Sequence, residues 1–128
     1  MKYLSRRTFQ VWVYTVSHSC LFLRSNKAQE EGQYFDDPNK TIDVEFWDVA
    51  YMELVTNFHG LAIERVENNV PLRFSNFLLQ GSSLYRITCQ SGEFYVIAGG
   101  CKIGTSNMTY DQHRSTNLLL EYDESFQL

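Results

Sequence analysis

Ile42-Asp43-Val44-Glu45-Phe46-Trp47 alternates apolar side chains with polar or amphipathic ones at a period of two. Successive side chains of an extended strand point to opposite faces, so this pattern fits a strand buried on one side and not the 3.6-residue period of an amphipathic helix. Ile42, Val44 and Phe46 take one face, and Asp43, Glu45 and Trp47 the other. Phe9, Val11 and Val13 alternate in the same way with Gln10, Trp12 and Tyr14. Two such runs in one short chain constrain the fold more than any other feature, because a half-buried strand needs partners along both edges and a second layer against its apolar face.

The rest of the chain supplies strands and turns. Residues 8–16 and 21–26 read as strands joined by the loop Ser17-His18-Ser19-Cys20. Residues 27–40 are polar and turn-rich and read as a surface loop. The run over 41–54 is expected to continue past Asp48 only if a bulge there returns Val49 and Tyr51 to the core side. Thr56-Asn57-Phe58-His59-Gly60 reads as a connection and 61–67 as the return strand, and 72–79 is open between a strand and a short helix. Residues 85–89 and 93–98 flank Gln90-Ser91-Gly92, a tight hairpin in which glycine allows the positive φ that such turns demand. Gly99-Gly100 ends or bulges that strand, and 118–122 reads as the last one. The expectation is an all-β fold: a single antiparallel sandwich or flattened barrel over residues 1–128, with room for one short helix. Its core would draw on Phe9, Val11, Val13, Leu21, Leu23, Ile42, Val44, Phe46, Ile63, Ile87, Val96, Leu118 and Leu120.

Composition narrows the function classes. With 128 residues, 44% hydrophobic and 15% aromatic, the chain has enough apolar surface for one core and little room for a second domain. Three cysteines cannot all pair within one chain, which fits free thiols in a reducing, cytoplasmic compartment. Ser5-Arg6-Arg7-Thr8-Phe9 matches a twin-arginine export signal, but Thr15, Ser17, His18 and Ser19 break the apolar stretch after it, and its alternation favours a strand. No run approaches the ~18 apolar residues of a membrane span. Residues 1–35 carry five basic and two acidic side chains, and the remainder six basic and thirteen acidic. An acidic body of this kind repels nucleic acid and attracts a basic protein.

Candidate chemistry is sparse. His18 and Cys20 are two apart and share a strand face, but two ligands do not make a metal site, and no further C-x-x-C or H-x-x-x-H pair supplies the rest. Cys101, His59 and Asp111, or Ser91, His113 and Glu93, assemble a nucleophile and base only on paper. Ala98-Gly99-Gly100-Cys101-Lys102-Ile103-Gly104 lacks the spacing of a phosphate loop. No catalytic residue, cofactor or metal is therefore expected. The carboxylates are more informative. Asp43 and Glu45 beside Trp47 form either a solvated face that keeps a β-protein soluble or, if exposed for the purpose, an acidic–aromatic docking surface. Asp36 and Asp37 in the 27–40 loop add to it, with Tyr34 or Tyr51 as further aromatic anchors, and Glu121, Asp123 and Glu124 make a third acidic group.

Thr8–His18, the Leu21-Phe22-Leu23-Arg24-Ser25 strand and Ile42-Asp43-Val44-Glu45-Phe46-Trp47-Asp48-Val49 together resemble small β-rich bacterial proteins, among them immunity-type proteins that neutralise polymorphic toxins. The resemblance covers about the first half of the chain and lies in strand pattern, with Ser19 where such proteins often place a turn glycine. It implies a cytoplasmic bacterial protein with at most a binding role, and no site residues carry over from it. Read from the residues themselves, the leading expectation is a non-enzymatic domain that binds another protein, for example a basic toxin, through the Asp43, Glu45, Trp47, Asp36 and Asp37 surface. The alternative is a small-ligand or carbohydrate-binding β-barrel lined by Trp12, Tyr14 or Trp47. A homodimer is a further option, since an antiparallel edge can pair with its own copy.

Overall fold

The computed structural model describes residues 2–28 and 39–128. Most of the expected 27–40 loop, with Tyr34, Asp36 and Asp37, lies outside the described residues. Among the described residues the chain forms nine strands: β1 (Lys2–Thr15), β2 (Cys20–Ser25), β3 (Thr41–Trp47), β4 (Tyr51–Met52), β5 (Asn57–Val66), β6 (Ser83–Cys89), β7 (Gly92–Ala98), β8 (Gly100–Ser106) and β9 (Glu124–Gln127). A single 3-10 turn at Leu72–Phe74 is the helical element in this set. All pairings are antiparallel, in the order β4-β7-β6-β5-β1-β2-β3-β8-β9.

That order cannot be flat. β7 and β8 lie six strands apart in the sheet yet are joined through Gly99 alone. At ~4.8 Å per strand a flat sheet would separate them by ~29 Å, whereas a one-residue link spans at most ~7 Å. The sheet therefore folds back on itself. β1 carries the bend: it pairs with β5 over Lys2–Gln10 and with β2 over Gln10–Thr15, and its register shifts between Ser5 and Thr8 and again between Val11 and Val13. Bulges of this kind bend a long strand and increase its twist. Arg6 and Arg7 thus belong to a strand, with the Arg7 guanidinium buried and donating to the Lys40 carbonyl at 2.7 Å.

The folded sheet encloses one apolar interior. Phe9, Leu21, Leu23, Val44, Phe46, Phe58, Ile63, Ile87 and Val96 have no exposed surface there, and Phe46 of β3 meets Tyr85 of β6 edge to face across the fold, with centroids 5.5 Å apart. Val11 and Val49 pack against this core while half-buried. A second cluster, Phe74, Leu84 and Ile97, lies on the outer face of β6 and β7, where residues 70–78 cover it.

Several expected boundaries move. β3 stops at Trp47 because Asp48 adopts a left-handed φ of 51°; a two-residue β4 follows in place of a strand continuing to residue 54. Gly60, at φ 72°, sits inside β5, so residues 57–60 extend the return strand instead of connecting to it. Ser19 takes φ 50° in the first hairpin, a conformation that glycine enters more readily. Residues 118–122 are not a strand. Leu118 and Leu119 lie in a turn, 81% and 90% exposed, so Leu118 leaves the expected core, and the last strand is β9. β8 is the strand that its glycines conceal. A Cβ on Gly100 would come within 2.0 Å of the Trp47 ring and one on Gly104 within 2.3 Å of the Tyr122 ring, so both glycines are seats for aromatic rings on a strand.

Candidate functional site

β2 and β3 are buried on both faces. Their inward residues build the apolar interior. Their outward residues, with those of β8, form two cross-strand rows: Phe22–Glu45–Lys102 and Arg24–Asp43–Gly104. Residues 107–123 lie over these rows as a strap without regular secondary structure.

The Arg24 and Asp43 side chains are fully buried and meet as a fork, Nε donating to Oδ1 at 2.6 Å and Nη2 to Oδ2 at 2.9 Å. The remaining Arg24 protons reach the strap: Nη1 donates to the carbonyl oxygens of Gln112 at 2.6 Å and Thr109 at 3.3 Å, and Nη2 approaches the Met108 sulfur at 3.4 Å. The Trp12 ring flanks the guanidinium at 5.4 Å. A planar, permanently charged donor set is suited to joining a strand to a strap in this way. Glu45 is the second node. It accepts from Arg114 Nε at 3.0 Å and from the Tyr122 hydroxyl, and lies 3.6 Å from Lys102 Nζ. Burial, followed by the charges of Asp43 and Glu45, pushes the Tyr122 phenol far up, so it remains a donor.

His113 lies within this layer, 5% exposed, edge-on to Phe22 at 4.6 Å. Its Nδ1 accepts from the Ser115 backbone N–H at 3.1 Å and lies 2.7 Å from the Ser115 hydroxyl. Nε2 therefore carries the ring proton, and among the described residues it has no hydrogen-bond partner. Burial first, then the nearby positive charges of Arg24 and Arg114, holds the imidazole neutral, with its pKa lowered from 6.5 to about 4.

This arrangement corrects the expected docking surface. Asp43 is 0% and Glu45 9% exposed, each engaged by arginine, so neither presents charge to solvent. Trp47 retains partial exposure with its ring over Gly100. Tyr51 is half-buried against Phe74 and Phe77 and donates to Glu53. Asp36 and Asp37 lie outside the described residues. The partners that bury the two carboxylates, Arg24, Lys102, Arg114 and Tyr122, had no spacing signal: Arg114 is 69 residues from Glu45.

The catalytic combinations are not assembled. Cys101 is buried in the apolar interior, where its thiol is pushed strongly up. His59 is exposed on β5 beside Thr8, and Asp111 is exposed on the strap beside Thr109. Among the described residues no three His, Cys, Asp or Glu side chains form a metal-sized group, and Cys20, Cys89 and Cys101 are free. A surface cleft of about 570 Å³ opens beside the strap, lined by Asn26, Lys27, Ala28, Thr109, Tyr110 and Asp111. No helix among the described residues is long and apolar enough to cross a membrane. Comparison with protein-family models, with curated proteins and with solved structures finds no match to this chain.

Proposed function

We propose that this chain is a non-enzymatic protein-binding domain, of the immunity or inhibitor kind, that meets a basic partner through the tip of its strap. The observation that carries this reading is the pair Leu118–Leu119, 81% and 90% exposed on a turn of a strap anchored by a buried ion pair. Adjacent large apolar side chains held in water are a liability unless something covers them. Glu121, Asp123 and Glu124 follow within five residues, with Lys40 Nζ 2.7 Å from Asp123. An apolar centre with an acidic rim suits a basic surface with an apolar pocket, the rim steering the encounter and the leucines supplying contact area. The expected acidic contribution thus moves from Asp43 and Glu45 to the strap end. A reducing, cytoplasmic setting accords with three free thiols. The ligand-barrel alternative finds less support, because side chains fill the apolar interior and a guest there would have to displace them.

The test is capture of a partner from lysate of the source organism by the wild-type chain and by the Leu118→Ser/Leu119→Ser variant, at low and high salt. Both residues are exposed, so the variant should melt within about 3 °C of the wild type, matching the small effect of surface substitutions away from structural features. The expected result is a basic protein retained in stoichiometric amount by the wild type, weakened by salt, and retained at least tenfold less by the variant. Equal retention by both, or self-association of the purified chain through the same leucines, overturns the reading.

A further inference from the structure

Burial and the charges around His113 weigh, on balance, against a positive imidazole. Arg24 faces it from β2 and Arg114 from the strap itself, while Glu45 on β3 favours a positive imidazole but is already engaged by Arg114, Lys102 and the Tyr122 hydroxyl. The Asp43 carboxylate is likewise committed to Arg24. The ionic layer thus holds three cations, Arg24, Lys102 and Arg114, against two carboxylates, and a protonated His113 would widen that surplus. The geometry adds a second obstacle. The site of protonation is Nδ1: a proton there sets donor against donor with the Ser115 N–H at 3.1 Å and leaves the Ser115 hydroxyl oxygen as its acceptor, while the buried Nε2–H has no partner among the described residues. Apolar Phe22 packs against the ring and offers no acceptor.

We propose that His113 is a proton-operated latch: protonation of Nδ1 releases residues 107–123 from the sheet and uncovers the Arg24, Asp43 and Glu45 face. The latch sits at the base of the turn it would open, because the His113 carbonyl accepts from the backbone N–H groups of Thr116 and Asn117 and from the Thr116 hydroxyl. The released strap exposes the ring to water, where it takes a proton at the ordinary histidine value, so the open form binds protons more tightly than the closed one. Closure is accordingly held in full above 6.5 and weakens as pH falls toward about 4. This inference does not depend on what the strap tip binds.

The test follows the His113 ring by NMR titration and the strap amides by hydrogen exchange, corrected for intrinsic rates, between pH 7.5 and 4. The expected result is a ring midpoint well below 6.5. Strap protection should fall on the order of a hundredfold over the same range while β5 and β6 amides stay protected. His113→Phe keeps a ring against Phe22 and cannot titrate. It should hold the strap at pH 7 and abolish the loss of protection between pH 6.5 and 4.5. Loss persisting in that variant means that a group other than His113 drives it and overturns the proposal. Should the variant fail to fold, the wild-type ring decides: a midpoint near 6.5, or strap amides unchanged once the ring is protonated, overturns it equally.

Discussion

Two outer faces of the sheet are covered, and the covers are built from opposite chemistry. Over β6 and β7, residues 70–78 bring Phe74 against Leu84 and Ile97, with Tyr51 and Tyr95 rings 5.4 and 4.9 Å from it. Over β2, β3 and β8, the strap brings carbonyl oxygens, Arg114 and Tyr122 onto Arg24 and Glu45. The first cover draws its stability from area removed from water, which is non-directional. The second contributes little net stability, because desolvating the charges offsets most of their attraction. In exchange it is directional: each Arg24 proton has its own acceptor, so the strap has one seat. An irregular segment gains a defined position from that, and a buried histidine makes the position depend on protons.

The difference can be broken first at its charged end. Asp43→Ala leaves Arg24 buried without its counter-ion and should cost about 3–5 kcal/mol in denaturant unfolding. Replacing the pair together, Arg24→Met with Asp43→Leu, should recover most of that loss for the sheet while leaving the strap unprotected in hydrogen exchange. Recovery of both would mean the strap needs no directional contact. Phe74→Ala should cost about 3–5 kcal/mol as a cavity, with the same penalty at pH 5.5 and 7.5, since Tyr51 and Arg73 beside it are both shifted up and keep their protons across that range. A penalty that changes with pH would remove the contrast between the covers. The smallest of these effects is expected at Gly100→Val, where a Cβ meets the Trp47 ring. Trp47 is half-buried and can shift, so the overpacking cost should be about 1–3 kcal/mol, read from the denaturation midpoint.

The strands of the first half were legible because period-two patterning is a local property. Phe9, Leu21, Val44 and Phe46 all enter the interior as their alternation requires. The Gln90-Ser91 turn was legible for the same reason, with Gly92 at φ 133° closing the hairpin. β8 was hidden because its glycines lower strand propensity, and the rings that need those glycines come from Trp47 and Tyr122 elsewhere in the chain. Leu118 and Leu120 were expected in the core because three consecutive leucines read as a strand, whereas the strap turns Leu118 outward and leaves Leu120 half-buried.

The candidate site marks the same boundary more sharply. The sequence by itself determined that Asp43 and Glu45 stand opposite Ile42, Val44 and Phe46, because alternation is fixed by the backbone's own geometry. Whether that second face meets water or protein is decided by a segment more than 60 residues away, and a two-fold period carries no information about what lies above it. Only the tertiary structure brought Arg24, Arg114, Tyr122 and His113 over the two carboxylates, because charges in a buried layer find their partners through space and not along the chain.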